Sequence, residues 1–64
     1  MTTSQANTLR NMFYATRNAF QFAPSKALAH SLYKLAGQAF DVGVIDGFTF
    51  DDARDAALTV TLRG

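Results

Sequence analysis

Residues 20–43 read FQFAPSKALAHSLYKLAGQAFDVG. Pro24 disfavours α geometry at Ala23, so a helix arriving from the N-terminal side stops there. Ser25 follows as an N-cap whose hydroxyl can accept a free amide of the next turn. After it Leu28, Leu32, Leu35, Ala36 and Ala39 recur at helical spacing, with Tyr33 and Phe40 on a flank. Lys26, His30, Lys34 and Asp41 form the polar edge, and Gly43 is a natural stop. The pattern predicts a helix over 25–42, and a helix following closely on another predicts an antiparallel pair.

Upstream, a step of about 100° per residue gathers Ala6, Leu9, Met12, Phe13, Thr16, Ala19 and Phe20 into one sector. Asn7, Arg10, Asn11, Tyr14, Arg17, Asn18 and Gln21 collect opposite them, which predicts an amphipathic helix over 3–22 capped by Thr3 or Ser4. Downstream, Val44 to Phe48 reads as a packed connection with a turn at Asp46-Gly47. Thr49-Phe50-Asp51-Asp52 fits the Ser/Thr-x-x-Asp/Glu capping signature, with Phe48 placed to staple back onto Ala53. Both aspartates then sit where the positive end of a helix favours them. A third helix over 50–62 buries Phe50, Ala53, Ala57 and Val60.

The end of that helix is ambiguous. Leu58-Thr59-Val60-Thr61-Leu62 alternates apolar with polar and is rich in β-formers, so a short C-terminal strand is the alternative. A strand needs a partner, and Val42 to Ile45 is the sole candidate, so helix is preferred. The expectation is an all-α fold and a single domain over 1–64. It is a small three-helix bundle, a helical hairpin plus a third capped helix, around Leu9, Phe13, Phe20, Leu28, Leu32, Leu35, Phe50, Ala57 and Val60.

Composition bounds what such a domain can do. The apolar share of 48 % and six Phe support a real core, and the charged share of 17 % is too low for a disordered chain. A domain of this size buries only about 60 % of the surface of its unfolded chain. Disulfides and metals, the usual reinforcements, are unpromising with no Cys and one His, which leaves oligomerisation. No apolar run approaches the roughly 18 residues needed to span a bilayer, and the N-terminus lacks a secretory layout, so a cytoplasmic protein is expected. Residues 1–34 are acid-free and Ser/Thr-rich like an organelle transit peptide, but such a leader leaves almost no mature protein, so a domain is preferred.

Charge is segregated. Arg10, Arg17, Lys26 and Lys34 precede position 40 with no acid among them, while Asp41, Asp46, Asp51, Asp52 and Asp55 follow it, accompanied by Arg54 and Arg63. Such halves can attract each other, a second copy or outside partners.

Tests for chemistry return little. His30 is the one candidate catalytic base, and its neighbour Ser31 points about 100° away on a helix, so the two make no nucleophile–base pair. An EF-hand alignment on Gly47 puts Val42, Val44 and Ala53 at oxygen-donor positions and fails. Ala39, Gly43 and Val44 have the spacing of a helix-turn-helix turn, but Asp46, Asp51 and Asp52 would repel phosphate from its reading helix. No catalytic, cofactor-binding or metal-binding residues are assigned.

The reading is therefore a small, non-enzymatic regulatory protein that binds and modulates another protein through a helical face, working as a homodimer. Arg10, Tyr14 and Arg17 are the candidate partner face, and Tyr33 and Phe40 the self-association seam, because aromatic anchors outnumber what three short helices can bury. The alternative is a nucleic-acid-binding factor using Arg10, Arg17, Lys26 and Lys34 of the basic hairpin. A surface membrane binder through the first helix is disfavoured by its few cations.

Overall fold

The computed structural model describes residues 2–63 and contains three helices, α1 (Thr3–Phe22), α2 (Lys26–Asp41) and α3 (Gly47–Arg63). The all-α three-helix expectation holds. Both α1 and α3 run antiparallel to α2 and pack along it, while the α1–α3 contact is much the slightest of the three. The Cα envelope of 37 × 19 × 14 Å is a slab with α2 in its middle, which leaves faces of every helix to solvent.

Each boundary has a local cause. Thr2, one residue before the expected cap, starts α1 with a reciprocal capping box. Its hydroxyl accepts from the Gln5 amide at 3.1 Å, and its own amide donates to Gln5 Oε1 at 3.0 Å. Gln5 decides between the three adjacent hydroxyl residues, because only from Thr2 does a Gln fall at the third helical position. At the other end Ala23 leaves helical geometry (φ −144°, ψ 79°) ahead of Pro24, as expected. Ser25 caps α2 through the Leu28 amide at 3.1 Å.

The end of α2 is a Schellman motif. Gly43 takes φ +80°, its amide donates to Phe40 O at 3.1 Å, and the Val44 amide reaches back to Ala39 O at 3.0 Å. That left-handed geometry favours glycine, which has no Cβ to strain there.

The start of α3 corrects the expectation of a Thr49 cap. The cap is Asp46, whose Oδ1 accepts from the Thr49 amide at 2.8 Å while its carbonyl accepts from the Phe50 amide at 3.0 Å. Asp46-Gly47 is consequently a helix start rather than a turn, and Gly47 has no positive φ. Burial decides between the two registers. A helix from Gly47 puts Ile45 and Phe50 at the two hydrophobic-staple positions, Ile45 buried and Phe50 packed against the core, and it leaves Phe48 exposed. The Phe48–Ala53 staple is therefore absent, and Asp51 and Asp52 lie beyond the first turn.

Residues 58–62 are helical, so the strand alternative does not occur. Two of its polar β-formers fit because their hydroxyls bond backward one turn, Thr59 to Asp55 O at 2.8 Å and Thr61 to Ala57 O at 3.0 Å.

Leu9, Phe13, Phe20, Leu32 and Ala57 of the expected core are buried, and Leu28, Leu35, Phe50 and Val60 pack partly buried around them. Ala29, Ala36, Ala39, Ile45 and Ala53 complete it. The alanines of α2 at 29, 36 and 39 and of α3 at 53 and 57 keep these two helices close, and Phe13 and Leu32 fill the remaining volume.

Candidate functional site

The five residues expected to bind partners lie on two separate surfaces. Arg10, Tyr14 and Arg17 form a stripe along α1, and each is already partly engaged or isolated. Arg17 reaches across to α3 and pairs with Asp52 at 3.5 Å. Tyr14 sets its ring edge-on to Phe13 at 5.1 Å between centroids. Arg10 is exposed and has no ion-pair partner among the described residues.

Tyr33 and Phe40 stand together on the outer face of α2. With His30, Lys34, Gly37, Gln38, Asp41 and Phe50 they line an open recess of about 560 Å³. Phe40 stacks on Phe50 at 4.8 Å with the rings 17° from parallel, and the Arg54 guanidinium lies 5.7 Å over the Phe50 ring. Arg54 is held there by Asp51 at 3.5 Å and Asp55 at 3.8 Å. Both Tyr33 and Phe40 nevertheless keep nearly half of their surface in solvent. Gly37 is the floor between them, and a Cβ added there would meet nothing within 4 Å.

A third surface went unpredicted. Between the N-terminal half of α1 and the C-terminal half of α2 runs a groove of about 570 Å³. Leu9, Met12, Leu35 and Val42 supply its apolar lining, and Ser4, Gln5, Thr8, Gln38 and Asp41 its polar rim. Periodicity places Met12 in the core sector of α1, yet it is 50 % exposed. Helical periodicity gives the direction of Met12 and not the reach of the neighbour meant to cover it. Only its place at the edge of that sector hinted at an open flank.

Among the described residues, no group of three or more His, Cys, Asp or Glu side chains gathers to hold a metal ion. No helix of the described residues is long and apolar enough to cross a membrane. Among the described residues one carboxyl is tuned: the Thr49 hydroxyl, and then the Thr49 amide, hold Asp46 below the ordinary carboxylate value. Its cause is the helix cap, so the shift is structural in origin.

Comparison with protein-family profiles, with curated proteins and with solved structures finds no match to this chain.

Proposed function

We propose that this is a small, non-enzymatic, cytoplasmic interaction module that binds another protein in the α1–α2 groove and modulates it by occluding the bound segment. The observation that supports this reading is Met12, a large flexible side chain half exposed beside Leu9, Leu35 and Val42 in an open channel. Methionine adapts to differently shaped apolar partners at little cost. The rim is uncharged except for Asp41, which has no ion-pair partner among the described residues. The fitting occupant is therefore an amphipathic helical segment, with apolar residues at i and i+4 entering the groove and one Lys or Arg meeting Asp41. The groove is preferred to the Arg10–Tyr14–Arg17 stripe because Arg17 is engaged by Asp52 and Tyr14 by Phe13.

Panning a random peptide display library against the purified chain tests this. Enrichment of apolar i, i+4 pairs flanked by Lys or Arg is expected, and Met12→Asp should abolish it. Binders indifferent to Met12→Asp, or no enrichment, would overturn the groove reading.

The nucleic-acid alternative rests on Arg10, Lys26 and Lys34 once Arg17 is paired, a thin and scattered set for phosphate contacts. Titration with mixed duplex and single-stranded oligonucleotides at low salt is expected to show no binding. Tight binding that weakens steeply with salt would favour this alternative over the groove.

A further inference from the structure

The α2 face around Gly37 is complementary to itself, and from this we infer that a second copy of the chain docks there, antiparallel, with a two-fold axis passing through Gly37. The inference concerns a surface apart from the α1–α2 groove and does not depend on a partner binding in that groove. Asp41 borders both.

Three observations converge on the same point of α2. The first is the glycine. A helix-interior Gly is destabilising relative to Ala, and nothing among the described residues needs the space, since a Cβ would find no atom within 4 Å. The vacancy instead lets another helix approach the α2 backbone closely. The second is the pair of aromatics, Tyr33 and Phe40, which stand about one turn before and one turn after that floor and remain about half exposed. The third is charge. The N-terminal half of the stripe carries Lys26, His30 and Lys34, its C-terminal end carries Asp41, and neither Lys34 nor Asp41 has an ion-pair partner among the described residues.

Antiparallel pairing about Gly37 uses all three. A two-fold axis brings together residues at mirrored heights on the same flank of the stripe, and at about 100° per residue from Gly37 one flank holds Tyr33 and Phe40 and the other Lys34 and Asp41. Tyr33 then meets Phe40 of the second copy, ring against ring, on the first flank. Lys34 meets Asp41 of the second copy on the other flank, ammonium against carboxylate. Symmetry makes each contact twice, and the two helix dipoles run in opposite senses. A parallel arrangement would instead set Lys34 against Lys34 and Asp41 against Asp41. The self-association expected from Tyr33 and Phe40 thereby acquires a symmetry and a register.

The register can be tested by charge exchange. Lys34→Glu places two acids opposite each other at both ends of the dimer, and Asp41→Lys places two cations there. A one-to-one mixture of the variants restores opposite charges at both ends of a heterodimer. Sedimentation equilibrium over a concentration series should show the wild type dimerising and each variant alone weakened by about tenfold, since the two lost pairs and the new repulsions together amount to roughly 1–2 kcal/mol. The mixture should recover the wild-type affinity to within a few-fold. Gly37→Leu should remain monomeric throughout with unchanged helicity at 222 nm, and if that variant loses helicity the charge exchange alone decides. A wild type that stays monomeric, variants that dimerise like the wild type, or a mixture without recovery would each overturn the proposal.

Discussion

Phe13 and Phe22 are the same residue type on the same helix, and their surroundings assign them opposite weights. Phe13 is fully buried, whereas Phe22 is 93 % exposed beside the Pro24 break. Phe13→Ala should cost about 3–5 kcal/mol through lost burial and the cavity left behind. A chain of this size holds only roughly 3–10 kcal/mol in total. Urea unfolding followed at 222 nm should therefore find Phe13→Ala largely or wholly unfolded in buffer, and Phe22→Ala within about 0.5 kcal/mol of the wild type. Gly37 gives the inverse case. In dilute solution Gly37→Ala should raise the free energy of unfolding by about 0.5–1 kcal/mol, because it removes a helix-interior glycine and meets no neighbouring atom.

At the scale of elements, the three helices differ in how openly the sequence announces them. Pro24, Ser25 and Gly43 bracket α1 and α2 with residues whose backbone chemistry has few alternatives, and those boundaries were legible. The start of α3 was not, because two cap signatures overlap. Asp46 can reach the Thr49 amide, and Thr49 can reach Asp52. Local chemistry alone does not rank them; the burial of Ile45 against residues distant in sequence does. The threonines of α3 misled for a similar reason, since their alternation looks like a strand and their back-bonding to Asp55 and Ala57 appears only once a helix exists. Met12 was assigned to the right sector, but the width of the cover over that sector is a property of helix packing. The Asp46 cap also makes a prediction about pH. Its folded-state carboxyl titrates below the ordinary value of 3.8 because the Thr49 hydroxyl and amide favour the charged form. The stability from this cap is therefore complete above about pH 5 and is lost as pH falls through 4 and below. Asp46→Asn keeps an acceptor for the Thr49 amide and cannot titrate, so thermal unfolding from pH 7 to 3 should show a shallower acid decline than in the wild type. An unchanged slope would mean that other aspartates set it.

Across the whole molecule, the segregated charges resolve into unequal uses. Arg54 takes Asp51 and Asp55 within α3, Asp46 caps that helix, and among the described residues a single pair, Arg17–Asp52, joins the basic half to the acidic one. That pair bridges α1 and α3, which otherwise meet chiefly through α2. It is long at 3.5 Å and its side chains are 33 % and 61 % exposed, so water and salt screen it. A double-mutant cycle with Arg17→Ala and Asp52→Ala should give a coupling of about 0.2–1 kcal/mol, falling toward zero near 1 M NaCl, where the screening length is about 3 Å. A pair of that strength cannot hold two helices together. Their cohesion comes from α2, whose alanine and leucine stripe is covered from both sides. Amide hydrogen exchange should accordingly be slowest along Leu32 to Ala39 and fastest in the first turn of α1. Equal protection of α1 and α2 would instead mean that the outer helices never open separately from the middle one. If α1 does open alone, Leu9 and Met12 part from Leu35 and Val42, and the groove proposed to bind a partner lies in the least stable part of the fold. A ligand that requires both walls would then stabilise α1 by mass action. A library-derived peptide should thus slow exchange in α1 more than in α3, and a uniform slowing would argue that the groove walls are rigid before anything binds.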